Sequence, residues 1–193
     1  MSARPRLVTR FALVVTAASL ALSGAAACHR PTESSKEAPV DAELMAFLSE
    51  ARALHHQANI KEDTGDLDGA IAAMDRLVAA QRPARPAPEI EEVLADAYAR
   101  LGELRLKKGD LAGAAAAVQS GLAHAPEPTY FRGHLVEVEG LVEEARAAGL
   151  ADAGKPAEAA KARERAIQRL EEVVKIQEQV IQRSTAKDAG AGR

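Results

Sequence analysis

The chain has 193 residues, of which 47% are hydrophobic, 27% charged and only 3% aromatic, and it carries a single cysteine, Cys28. One cysteine excludes both an intrachain disulfide and a thiolate metal cage. The formal charge of −3 becomes −6 once the leading cations Arg4, Arg6 and Arg10 are set aside, leaving 22 Lys and Arg against 28 Asp and Glu, so the basic face that nucleic acid demands is missing. Abundant Ala, Leu, Glu and Arg favour helix, because unbranched side chains lose little rotamer freedom there.

Arg4, Arg6 and Arg10 lead into a twelve-residue apolar run, 11–22, followed by Ser23-Gly24-Ala25-Ala26-Ala27-Cys28. Residues 1–27 thus have the pattern of a secretory signal peptide. A spanning helix needs about 20 apolar residues, which makes a retained transmembrane anchor the alternative. Ala25-Ala26-Ala27-Cys28 resembles the lipobox of bacterial lipoproteins, with Ala25 where Leu is usual. The resemblance implies cleavage before Cys28 and acylation (palmitate among the chains) of Cys28 itself, and two acyl chains suffice for stable anchoring. An unmodified Cys28 beside a plain cleavage site is the other reading. His29, in place of the Asp that marks inner-membrane retention in enteric bacteria, points to the outer membrane. Residues 28–40 are polar, with Pro31, Ser34, Ser35 and Pro39, and are expected to form a flexible tether.

Asp41 is the expected N-cap of a first helix reaching Asp63, with Leu44, Phe47, Leu48, Ala51, Leu54 and Ala58 at helical spacing. Gly65 should end it in the left-handed conformation, and Asp66 should cap a second helix whose stripe is Leu67, Ala70, Ile71, Met74, Leu77 and Val78. Pro83, Pro86 and Pro88 break the chain. Pro88 opens a third helix, with Glu89, Glu91 and Glu92 in the dipole-favoured first turn. Gly109 closes it, Asp110 caps a fourth, and Pro126 and Pro128 terminate that one. A fifth helix is expected from Thr129 to Asp152, interrupted by Gly133, Gly140 and Gly149, which signals close helix crossing or a bend. A sixth should run from Pro156 to about Arg183, leaving 185–193 as a disordered tail beyond a helical domain of 41–184.

Gly65-Asp66-Leu67-x2-Ala70 recurs as Gly109-Asp110-Leu111-x2-Ala114, and loosely as Gly154-x4-Ala159, at steps of 44 and 45 residues. A period in this range marks stacked helical hairpins. The unit Tyr98-x2-Leu101-Gly102 … Gly109-x-Leu111-x2-Ala114 … Leu122-x3-Pro126 resembles the tetratricopeptide repeat, with Arg105 and Val118 where aromatic residues are usual. The first unit matches at Leu54, Ala58, Gly65, Leu67, Ala70 and Leu77, and the third only at Ala147, Gly154, Ala159, Ala166 and Ile167. The resemblance implies an all-α fold: a short right-handed α-solenoid of about three hairpins with a long C-terminal capping helix. Gly102 and Ala114 lack bulk, so the antiparallel pair they join can pack closely.

In that family the first helix of each hairpin lines a concave surface that holds peptides or partner loops. The register implies that Arg52, His55, His56, Asn59, Glu62 and Asp63 face inward from the first unit, and Asp96, Arg100, Glu103 and Lys107 from the second. Asn59 matches one place of the family's clamp for C-terminal carboxylates, while His55 and Arg100 replace others, so that specificity does not transfer. His55, Asn59, Glu62 and Asp63 are a poor metal set, and no metal or other cofactor is expected. His124 and His134 flank the loop after the fourth helix without an evident partner. No nucleophile motif or phosphate-cradling glycine loop is present, and an enzyme is not expected.

The expectation is therefore a membrane-anchored, periplasm-facing adaptor that binds a protein partner and helps assemble or position an envelope complex. In general plan it resembles tetratricopeptide lipoproteins serving outer-membrane protein insertion and pilus-secretin assembly. The alternatives are a small-ligand or metal-binding lipoprotein, and a structural protein that self-associates through its last helix.

Overall fold

The computed structural model describes residues 41–191, with side chains to residue 187. Cys28, the leader and the tether lie outside the described residues. Six helices follow in order: α1 (Ala42–Asp63), α2 (Leu67–Val78), α3 (Pro88–Lys107), α4 (Leu111–His124), α5 (Tyr130–Asp152) and α6 (Pro156–Ala191). Among the described residues there is no strand.

Three helical hairpins, α1/α2, α3/α4 and α5/α6, stack in chain order, and α3 touches α1, α2, α4 and α5. Each hairpin turns on a glycine with positive φ: Gly65 (+80°), Gly109 (+86°) and Gly154 (+71°). All three turns close the same way. The glycine N–H bonds to the carbonyl three residues back, and the next N–H bonds to the carbonyl five back, as in Asp110 N to Arg105 O at 2.9 Å. This pairing satisfies carbonyls that the helix end leaves open, and it requires the left-handed residue that glycine adopts without a Cβ clash.

The first two turns also carry a cap. Asp66 accepts from Gly69 N and Asp110 from Gly113 N, each at 2.8 Å. Lys155 occupies the same place before α6, and its side chain has no acceptor to offer. Asp41 caps α1 through Leu44 N at 3.1 Å and Thr129 caps α5 through Arg132 N at 3.3 Å. Ala87 gives no side-chain cap to α3, whose first residue is Pro88, a residue with no N–H to satisfy.

The core is built from small residues. Around the first hairpin Ala51, Leu54, Ala58, Ala70, Met74 and Leu77 bury with Ala97, Leu101 and Leu104 of α3. On its other flank α3 buries Ala95 and Ala99 with Val118, Leu135 and Val138. Alanine at so many contacts brings the helix axes near, and methyl groups then fill the space between them. Gly102 continues this logic, since a Cβ there would lie 3.1 Å from Val138 Cγ1 and 3.3 Å from Val118 Cγ2. Gly121 is tighter still: a Cβ would fall 2.4 Å from Leu135 Cδ2 and 2.8 Å from Tyr98 Cβ.

One sequence expectation is revised and another holds only in part. The sixth helix does not stop near Arg183 but continues to Ala191, through most of the stretch read as a tail. Polar composition there fails to end the helix because residues 184–187 (Ser-Thr-Ala-Lys) include neither Gly nor Pro. The glycines of α5 also differ among themselves. Gly133 and Gly140 lie against α6, at Gln177 and at Arg169 and Leu170, whereas a Cβ on Gly149 would meet nothing within 4 Å.

Candidate functional site

The first helices of the hairpins, α1, α3 and α5, lie side by side, and most of the residues expected to face inward meet along them. Arg100 is the hub. Its Nη1 donates to Glu103 at 3.0 Å, and its Nη2 donates to Asn59 Oδ1 at 3.3 Å and to Glu62. Lys107 Nζ reaches Glu62 at 3.0 Å. His55 Nε2 sits 3.6 Å from Asp96. His56 and Asp63 are exposed, and neither is held by another side chain among the described residues. Each is the residue directly after a network member, about 100° round the helix, and so falls outside the row.

The residue missed by sequence reasoning is His134 of α5. Its Nε2 lies 2.9 Å from Glu103 Oε1, and its Nδ1 lies 3.8 Å from Asp96 Oδ1. The second distance is an ion-pair separation and too long for a hydrogen bond, so Nδ1 is buried without a hydrogen-bond partner. His124 also has a partner: its Nδ1 is 2.6 Å from Glu91, and its ring stacks on Tyr98 at 5.6 Å. The expectation that both histidines stand alone is thereby corrected. Nothing in the degenerate third unit, which keeps Ala147 but lacks the Leu-Gly pair, fixed which face of α5 turns inward.

These contacts move the ionisation equilibria. The carboxylates of Asp96 and Glu103 raise the His134 pKa to about 9, against the opposing effect of burial. Asp96 is lowered, chiefly by His134. Burial works against charge at Glu103, yet His134 and Arg100 outweigh it and its pKa is lowered. Lys107 and Arg100 lower Glu62, with burial opposing. Burial lowers His55 more than Asp96 raises it. At neutral pH the row therefore holds cations at Arg100, Lys107 and His134 against anions at Glu62, Asp96 and Glu103. Its charges cancel internally, and the row acts as a clasp fixing α1, α3 and α5 in register.

The clasp leaves open the neighbouring end of the same face. There a groove of about 350 Å³ is lined by Leu48, Ala51, Arg52, His55, Glu89, Glu92, Val93, Asp96 and Phe131. Its floor is apolar, from Leu48, Ala51, Val93 and Phe131, and Arg52, Glu89 and Glu92 stand exposed at its rim. Of the sequence candidates, Arg52, His55 and Asp96 belong to it. A hollow of about 410 Å³ beside the proline-rich loop is lined by residues of that loop and the start of α3, away from the clasp.

No protein-family model, curated protein or solved structure matches the chain.

Among the described residues no group of three or more His, Cys, Asp or Glu is placed to hold a metal ion. None of the described helices is long and apolar enough to cross a membrane.

Proposed function

We propose that the protein is a tetratricopeptide-like adaptor, lipid-anchored through Cys28 in a bacterial cell envelope and facing the periplasm, that holds an extended segment of a partner protein in the groove between α1 and α3. The observation that carries this reading is the division of the inward face. One part is a self-neutralised clasp, and the other is an open groove with an apolar floor and charged rim groups free to orient a peptide. Apolar pockets with a few polar groups at the edge are the usual form of a recognition site.

Photo-crosslinking in native membranes tests the groove. A photoreactive residue at position 52 should capture a discrete partner, and Val93→Asp should abolish that capture while the circular dichroism stays helical. Equal capture from position 76 on α2 would refute the groove as the seat. Fractionation tests the anchor independently: Cys28→Ala should shift the protein from the membrane to the soluble fraction.

A further inference from the structure

The last helix presents a second surface, remote in kind from the groove. With 36 residues against 23 in α5, α6 is the longer partner of its hairpin. Arg183 Nη1 reaches Pro128 O at 3.3 Å, just before α5 begins, so the residues after Arg183 run on past the end of α5. The inner side of α6 buries Ala159, Ala162, Ala166 and Ile176. Arg165 and Arg169 tie one edge to Glu143 and Glu139 of α5.

The solvent-facing side carries an apolar ridge that begins at the α5 boundary, where Leu170 borders Gly140, and is interrupted between Val174 and Ile181. Ile167, Leu170, Val174 and Ile181 are 58%, 41%, 57% and 62% exposed. Their steps of three, four and seven residues follow the 3.5-residue repeat by which one helix meets another along its length. Single exposed apolar residues need no explanation, but an aligned ridge on a helix does. Alongside it runs an exposed row repeating every seven residues, Glu164, Glu171 and Glu178. Arg163 is a cation in line with Leu170 near the ridge's N-terminal end, and Lys175 lies one turn beyond Glu171 on the far side of the acidic row.

The charges discriminate among occupants. In an antiparallel two-fold pair a second copy would set this glutamate row against itself, and like charges at facing helix edges oppose association. An anionic lipid surface would meet the same carboxylates unfavourably. A helix with an apolar seam and basic flanks would satisfy both the ridge and the row. We infer that the outward ridge of α6 docks one amphipathic helix of a partner protein whose apolar seam is flanked by Lys or Arg.

The test uses full-length protein and two labelled peptides of about 21 residues, long enough to hold helix. They share one heptad apolar seam and differ only in carrying Lys or Glu at the flanking positions. Fluorescence anisotropy should show the Lys peptide binding at least about tenfold more tightly than the Glu peptide, and weakening as salt rises. The double variant Ile167→Ser with Val174→Ser, altering exposed side chains only, should lose about tenfold or more of that affinity. Arg52→Ala in the groove should leave it unchanged, which separates failure here from failure of the groove reading. Equal binding of both peptides, absence of binding, or binding indifferent to the double variant would overturn the inference. A dimer in light scattering that the double variant dissolves would assign the ridge to a second copy. Vesicle binding that needs the same residues would assign it to a membrane.

Discussion

The middle hairpin, α3/α4, and the last one, α5/α6, share a glycine turn with the same pair of closing hydrogen bonds, yet little else. α3 is covered on several sides and buries Ala95, Ala97, Ala99 and Leu101 in alternation, leaving no room for bulk at Gly102 or Gly121. α6 is covered on one side, buries alanines and Ile176 among its described residues, and leaves large apolar groups in solvent. The sequence repeat is sharpest in the middle unit, whose helices have neighbours on both flanks, and loosest in the last, where one flank is missing. Packing from two sides, rather than the turn itself, sets how narrowly a position is constrained.

Substitutions can break or sharpen this contrast. Gly102→Leu should cost about 3 kcal/mol and Gly121→Ala about 2 kcal/mol, because each adds atoms to filled space. Gly140→Ala in the last hairpin should be nearly neutral, since its Cβ would stand 3.4 Å from Arg169 and Leu170, an ordinary contact. Chemical denaturation of the three variants measures the difference, and equal losses would erase the distinction.

His134 joins the last hairpin to the middle one, so its removal reports how firmly the two are held. His134→Gln should destabilise by about 1–2 kcal/mol near pH 6, a figure reduced for partial solvent screening. The pKa raised to about 9 means that the folded state holds its proton more tightly than the unfolded chain. That stabilisation is complete below the unfolded value of about 6.5 and is lost as pH rises through about 9. The gap between wild type and variant should accordingly close by pH 10. His55 works in the opposite sense: its lowered pKa withdraws stability as pH falls below about 6.5.

The caps give a smaller and cleaner contrast. Asp110→Ala should cost about 1 kcal/mol by leaving the Gly113 N–H unmet, whereas Lys155→Ala at the uncapped turn should stay within about 0.5 kcal/mol. Gly149→Ala should raise stability by about 0.5–1 kcal/mol, because the position is helical and empty around its missing Cβ. Thermal melts of these three variants, ranked together, test whether constraint falls toward the end of the stack.

Much of the helical frame was legible because its signals are local. Glycine conformational freedom, an aspartate three residues before a free N–H, and proline at a helix start act over one turn of chain. The same locality leaves the end of α6 unmarked, since residues 184–187 carry neither Gly nor Pro and polar composition alone does not stop a helix. The site was legible only in part. Helical spacing put His55, Asn59 and Glu62 on one row and Asp96, Arg100, Glu103 and Lys107 on another, but spacing cannot tell a paired charge from an available one.

The sequence by itself determined where each helix begins, where the chain reverses and which stripes are apolar, since these depend on backbone sterics and short-range hydrogen bonds. Only the stacking decided that Arg100 spends its donors on α1 and α3, that His134 reaches across from α5, and that Phe131 helps to floor a groove beside Leu48. It also decided that Ile167, Val174 and Ile181 face outward. Those outcomes rest on the stagger and rotation of neighbouring helices, which are fixed by the fit of side chains far apart in the chain.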